Sequence, residues 1–271
     1  MQDTEIARRG MALLGCGKMG SAMLEGWLAR GLPKSSVWVT DPKPSDWLSA
    51  QGVHLNDALP EDPAIVLVAV KPQMMRDALP ELATLGDGDT LFLSVAAGVP
   101  LATYESLLGD KTPIVRAMPN TPAAIGRGIT AIIGNAQATE KHLDQAELLL
   151  SAVGEVVRLE DEAQMDAVTG VSGSGPAYVF HMIECLAAAG EAEGLTPDLA
   201  LQLARATVAG AGALAQETGE TPGQLRKNVT SPNGTTQAGL EVLMQEEGGL
   251  PPLMRATVAA AAERSRELSR D

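Results

Sequence analysis

Two kinds of segment in this 271-residue chain carry residues whose types and spacing suit chemistry. The first is Gly15-Cys16-Gly17-Lys18-Met19-Gly20, a G-x-G-x-x-G run set between the apolar stretch Met11–Leu14 and a helical pattern over residues 18–30. In a strand-to-helix turn the first glycine permits the tight bend and the second lets backbone amides approach a pyrophosphate. The third lets the helix pack closely on its strand. Asp41 follows about 20 residues further on, at the end of the next β-rich run, where a carboxylate can accept hydrogen bonds from an adenosine ribose. That favours NADH. Thr40 and Lys43 stand beside it, and a lysine with a hydroxyl suits the 2′-phosphate of NADPH, so the cofactor preference stays open.

The second kind is a pair of hydroxyl-rich helix starts. Ser172-Gly173-Ser174-Gly175-Pro176 precedes one helical pattern, and Ser231-Pro232-Asn233-Gly234-Thr235-Thr236 precedes another. Free amides at a helix N-terminus, with hydroxyls and a glycine beside them, bind a small carboxylate. The alternative is plain N-capping by Ser174 and Thr235. His54, His142 and His181 have no ligand spacing, so no metal is expected. Cys16 and Cys185 read as small packing residues.

The elements that must position these segments fall into two halves. Up to about residue 159, β-rich runs at 11–14, 36–40, 64–70, 90–95, 114–118, 129–134 and 155–159 alternate with helical runs at 18–30, 44–50, 73–82, 101–108 and 139–153. The run Ala64 to Val70 is apolar without alternation, as a strand covered on both faces should be. The pattern predicts an α/β, Rossmann-like, doubly wound and mainly parallel sheet. Beyond it the β signal stops, and Ala-rich runs at 176–194, 197–218, 235–246 and 251–268 have helical spacing, predicting an all-α domain. The expected division is a dinucleotide-binding domain over 1–162, with 1–10 a frayed extension, and a helical substrate-binding and dimerisation domain over 163–271.

Composition limits what such a chain can meet. Thirty-four acidic against 20 basic residues give a formal charge of −14, which repels nucleic acid at long range. It does not exclude a small anion held by helix-end amides. Two cysteines fit a reducing cytoplasm, and no apolar run approaches the roughly 20 residues of a membrane span. The leading segment, with Asp3 and Glu5, lacks the apolar core of a signal peptide. The helical half has few aromatics and a thin core, so a homodimer or larger homo-oligomer through that half is expected.

Beyond the glycine fingerprint, four further sets of residues resemble the pyrroline-5-carboxylate reductase family. They are Ala69-Val70-Lys71-Pro72-Gln73; Ser94-Val95-Ala96-Ala97-Gly98; Arg116 to Pro122 together with Thr169 to Ala177; and Val229 to Thr236. The resemblance spans residue 11 to about 268. It implies hydride transfer from NADPH or NADH to the cyclic imine 1-pyrroline-5-carboxylate, giving L-proline. It also implies that Asn56, Ala69, Val70, Lys71, Pro72, Ala96, Ala97 and Gly98 line the nicotinamide and ribose side. Ser174, Gly175, Asn233, Gly234, Thr235 and Thr236 would hold the substrate, with Thr236 and Ser231 serving the reaction. Neither helix start contains a strong acid. An imine protonated in solution needs only a hydroxyl that hydrogen-bonds its nitrogen. One position departs from the pattern: Asn233 stands where the family usually has glycine, which a left-handed backbone would tolerate. Two other readings compete. One is a 3-hydroxy-acid dehydrogenase with Lys227 as its base, and the other is a non-catalytic nucleotide-sensing protein.

Overall fold

The computed structural model describes residues 4–269. Two compact units emerge, Met1–Gly173 with Ala261–Asp271, and Ser174–Ala260. In chain order the first contains α1 (Glu5–Arg9), β1 (Met11–Leu14), α2 (Lys18–Ala29), β2 (Val37–Thr40), α3 (Asp46–Ser49), β3 (His54–Leu55), β4 (Ile65–Val68) and α4 (Met75–Ala78). It continues with β5 (Leu91–Ser94), α5 (Leu101–Leu108), β6 (Ile114–Met118), β7 (Gly128–Gly134), α6 (Glu140–Leu150), β8 (Gly154–Arg158) and α7 (Gln164–Val168). The second contains α8 (Gly175–Ala192), α9 (Pro197–Glu217), α10 (Pro222–Asn228), α11 (Thr235–Leu243) and most of α12 (Leu250–Leu268).

The eight strands form one sheet in the order β3-β2-β1-β4-β5-β6-β7-β8, parallel throughout apart from the β6–β7 pair. Alternate residues of β1 and β4 feed two cores. Met11, Leu13, Ile65 and Leu67 pack with Met23, Leu24 and Trp27 of α2 and Leu149 of α6. Ala12, Val66 and Val68 pack with Met75, Leu79, Phe92 and Tyr104 on the other face. Burial on both sides explains why these strands read as unbroken apolar runs.

Three local expectations are corrected. Residues 4–10 are not frayed: Thr4 caps α1 by accepting from Ala7 N–H, Ile6 is buried, and Arg9 pairs with Glu5 (2.6 Å), Asp62 (2.7 Å) and Asp89 (3.0 Å). Residues 1–3 of the expected extension lie outside the described residues. The helix expected over 73–82 is instead a 3-10 turn (Pro72–Met74), the short α4 and a second 3-10 stretch (Pro80–Leu85). Pro80 has no N–H to continue the α ladder. The expected helical pattern also omitted α7, a π-helical turn over Thr169–Gly173, and α10, which Thr221 caps by accepting from Gln224 N–H.

The helical unit has a small interior of its own. Between α8 and α9 only the alanines Ala187, Ala200 and Ala204 form a buried cluster, with Ile183 and Leu201 packed against it. Phe180 remains 60% exposed on α8, where Val179 and Leu186 are also exposed, and Leu199, Leu203 and Leu214 are exposed on α9.

Candidate functional site

Parallel register brings four turns side by side. Leu14 pairs with both Thr40 and Val68, and Val68 with Ser94, so the chain leaves β2, β1, β4 and β5 at one edge of the sheet. Ligands bind at the carboxyl ends of the strands in such sheets. The turns leaving there hold Thr40-Asp41, Gly15 to Gly20, Ala69 to Pro72 and Ala96 to Gly98.

Each fingerprint glycine has a distinct reason to be glycine. Gly15 has φ +84°, and a Cβ there would lie 3.0 Å from Val70 Cγ1 and 3.1 Å from the Ala69 carbonyl oxygen. A Cβ on Gly20 would lie 2.8 Å from the Gly15 carbonyl oxygen, so close packing of α2 requires its absence. Gly17 differs: nothing lies within 4 Å of a Cβ placed on it. It is the N-cap of α2 and no side chain caps that helix, leaving the first amides, from Lys18, Met19 and Gly20, facing an open cradle. These residues fit a dinucleotide pyrophosphate.

Asp41 is turned toward this loop. Its carboxylate accepts from Cys16 N–H and from Lys43 N–H, both at 2.8 Å. Asn56, with φ 57°, extends the β2–β3 pairing: its side chain accepts from Asp41 N–H (2.9 Å) and donates to Asp41 C=O (3.0 Å). The Cys16 thiol is buried, and burial with the neighbouring Asp41 charge pushes it up to about 11, so it stays protonated and packs. Lys71 and Pro72 are exposed, Ala97 is exposed and Ala96 buried. A cavity of about 490 Å³ brings Pro72, Arg76, Ala97, Gly98 and Thr103 together with Leu268 from the end of α12.

Arg116, the first residue of the Arg116 to Pro122 motif, lies on β6. The structure gives a salt bridge, with Nη1 2.7 Å from Glu162 Oε1 and the residue only 5% exposed. No spacing rule could have paired residues so far apart.

In the helical unit, neither Ser174 nor Thr235 acts as a capping side chain. Ser174 is the N-cap of α8 but makes no side-chain cap bond, and Gly234 is the N-cap of α11. Thr235 and Thr236 are the first two residues of α11, and both are exposed. Asn233 adopts φ 58° and its N–H donates to Gln237 Oε1 at 2.8 Å. The left-handed conformation is therefore present, on a residue type that tolerates it. Gly234 N–H donates to the Ser231 carbonyl at 3.0 Å, closing the turn that carries the Ser231 hydroxyl. Gly175 has open space where a Cβ would stand. Both helix starts thus carry hydroxyls, on Ser174 at one and on Ser231, Thr235 and Thr236 at the other, that local capping does not use.

Comparison with known proteins gives matches over both halves. A family profile described as pyrroline-5-carboxylate reductase dimerisation matches residues 162–268, and one described as NADP oxidoreductase, coenzyme F420-dependent, matches residues 10–98. A pyrroline-5-carboxylate reductase of Pseudomonas aeruginosa is 38% identical over 265 residues, covering 96% of each chain. The Pisum sativum enzyme of that name is 39% identical over 265 residues with the same coverage. Among solved structures, a pyrroline-5-carboxylate reductase from Coxiella burnetii superposes with a TM-score of 0.91 at 35% identity, over 96% of this chain and 98% of that one. A Plasmodium falciparum pyrroline carboxylate reductase with NADP bound gives 0.82 at 26% identity, over 97% and 99%. With relatives this similar matched across nearly their whole length, the chain belongs to the pyrroline-5-carboxylate reductase family.

Proposed function

We infer that the chain reduces 1-pyrroline-5-carboxylate to L-proline with NADPH or NADH. The observation that carries this is the pairing, in one member of that family, of an open glycine cradle at Gly17 with two helix starts whose hydroxyls are left uncapped. When bound, the reduced nicotinamide supplies a hydride to the imine carbon. Everything else falls to this chain's residues. The Lys18 to Gly20 amides hold the pyrophosphate, and Ala69 to Pro72 and Ala96 to Gly98 leave room for the ribose and nicotinamide. The helix-start amides at Ser174-Gly175 and at Thr235, with the Ser231 hydroxyl, bind and orient the carboxylate, and the Asn233-Gly234 turn holds them in place. The iminium takes its proton from solution, and Thr236 donates a hydrogen bond to the lone pair that develops on nitrogen as hydride adds to the carbon. This hydroxyl orients the ring and compensates the change in charge at nitrogen during transfer. The reaction is assigned to the cytoplasm, in keeping with two free thiols, and no described helix is long and apolar enough to cross a membrane.

The direct test is near-ultraviolet absorbance loss of NADPH or NADH on adding pyrroline-5-carboxylate, with proline identified as product. Absence of turnover with both cofactors in folded protein would remove the reading. The same assay resolves the roles of Asp41 and Lys43. Asp41→Asn keeps an oxygen for Cys16 N–H and removes the charge that repels a 2′-phosphate. It should move the NADPH to NADH ratio of kcat/KM toward NADPH by about tenfold, which corresponds to ~1.4 kcal/mol. An unchanged ratio would show that the end of β2 does not read the ribose.

The assembly follows from the same family membership. Three buried alanines between α8 and α9 do not supply the core that a helical unit of this length requires, and a second copy would cover the exposed Phe180, Leu199 and Leu203. Light scattering at micromolar concentration should give at least twice the 28.1 kDa chain mass. A monomer would count against the homodimer.

A further inference from the structure

The turn leaving β5, residues 95–100, is gripped at both ends by polar groups that the reaction itself does not use. At its start, Ala96 N–H donates to Ser94 Oγ at 3.2 Å, and the Ser94 hydroxyl shares a hydrogen bond with the Tyr104 hydroxyl of α5. Ser94 is 1% exposed and Tyr104 is fully buried. Burial raises the Tyr104 hydroxyl to about 12, so it remains protonated. At the far end, Pro100 is the N-cap of α5 and provides no capping side chain. Glu162 takes that place from 61 residues away: Oε1 accepts from Leu101 N–H at 2.9 Å. The same oxygen meets Arg116 Nη1 at 2.7 Å. Arg116 lies opposite Ser94 in the β5–β6 register, so the two grips sit against adjacent strands.

A hydroxyl, a phenol, a carboxylate and a guanidinium placed beneath one short turn exceed what folding that turn requires. An apolar residue in place of Ser94 would leave the strand ladder intact. We propose that Ser94, Tyr104, Glu162 and Arg116 are positioning residues that fix the backbone of Ala96, Ala97 and Gly98 for nicotinamide dinucleotide binding. The inference rests on the proposed function only in taking that turn as part of the cofactor site. Ser94 sets where the Ala96 peptide lies. Tyr104 prevents the Ser94 hydroxyl from rotating away, and Glu162, neutralised by Arg116, anchors the exit of the turn into α5.

The test is a double-mutant cycle read as dinucleotide Kd, by NADPH fluorescence titration without imine, alongside separate KM values for NADPH and for imine. Ser94→Ala removes the acceptor for Ala96 N–H and orphans a buried phenol, and should raise the Kd about tenfold. Tyr104→Phe keeps the ring and leaves Ser94 able to accept, so about threefold is expected. The double variant should bind no more weakly than Ser94→Ala alone, because the orphaned phenol is gone. Glu162→Gln retains an oxygen for Leu101 N–H while losing the charge partner of Arg116, and should raise the Kd a few-fold. In all four, the KM for NADPH should rise with the Kd, while the KM for imine stays within twofold. A Kd within twofold of wild type for folded Ser94→Ala and Tyr104→Phe overturns the proposal, as do equal rises in both KM values. Should Ser94→Ala not fold, the volume-conserving Tyr104→Phe and Glu162→Gln decide by the same criteria. A wild-type protein that binds NADPH but does not reduce the imine would instead remove the functional reading, with the Kd cycle still deciding this one.

Discussion

Gly17→Ser should leave the protein as stable as wild type, or slightly more stable, while weakening NADPH and NADH binding by roughly 100-fold. The two effects separate because of where Gly17 sits. Its backbone has φ −70° and ψ −160°, open to any residue, and no protein atom lies within 4 Å of an added Cβ. Serine is moreover a better N-cap than glycine, by a few tenths of a kcal/mol, and α2 has no side-chain cap in the native sequence. The new hydroxyl would bond the amide of the second or third helical residue, Met19 or Gly20, and its Cβ would occupy the cradle. Losing two hydrogen bonds to a charged pyrophosphate, at about 1.5 kcal/mol or more each, gives the 100-fold figure. Gly20→Ala should behave differently. Its Cβ would meet the Gly15 carbonyl oxygen at 2.8 Å, a backbone atom that cannot swing aside, so both melting temperature and affinity should fall, at a cost of about 1 to 3 kcal/mol in stability. Calorimetry and fluorescence titration on the two variants check the contrast. Wild-type affinity in folded Gly17→Ser would show that the cradle does not hold a pyrophosphate.

What could be read from the sequence is what local chemistry dictates. β1 at Met11–Leu14, α5 at Leu101–Leu108 and β6 at Ile114–Met118 fall where the pattern places them, because burial on both sheet faces or one helix face writes itself into consecutive residues. Two of the fingerprint glycines were legible for the same reason: a positive φ at Gly15 and a close approach at Gly20 each demand glycine at that position. Asn233 was legible as a residue that tolerates a left-handed backbone.

The remainder depends on partners distant in sequence. α1 exists because Ile6 finds the core and Arg9 finds Asp62 and Asp89, 53 and 80 residues away, which no short-range pattern reports. β3 is two residues long, and its pairing is continued by the Asn56 side chain. Glu162 serves both Leu101 and Arg116, so the control of the Ala96 turn is distributed over three separate elements. In the π-helical turn at Thr169–Gly173, a Cβ on Gly173 would lie 2.6 Å from Met118 Cε, the movable end of a side chain on β6.

Thr236→Val should reduce kcat/KM for imine reduction by about 100 to 1,000-fold while leaving NADPH affinity nearly unchanged. Valine keeps the β-branched shape and removes only the hydroxyl, at a position that is exposed and lies in the first turn of α11. The turn before it is held by the Asn233 N–H bond to Gln237 Oε1 and the Gly234 N–H bond to the Ser231 carbonyl, neither of which involves Thr236. The loss should therefore report one hydrogen-bond donor and not a collapsed loop. A donor directed at a site of changing charge is worth roughly 3 to 4 kcal/mol, which gives the range stated; a substrate already protonated in solution would place the loss at its lower end. NADPH affinity should hold because the glycine cradle belongs to the first compact unit and Thr236 to the second. Ser231→Ala separates binding from chemistry. With Ser231 holding the carboxylate, its loss should raise the KM for imine about tenfold with kcat little changed, whereas Thr236→Val lowers kcat itself. Wild-type kcat/KM in folded Thr236→Val would refute the assignment of Thr236. Parallel losses in NADPH affinity and turnover would place the damage in the Asn233 turn instead, where restoring kcat by changing Asn233 to glycine would confirm it.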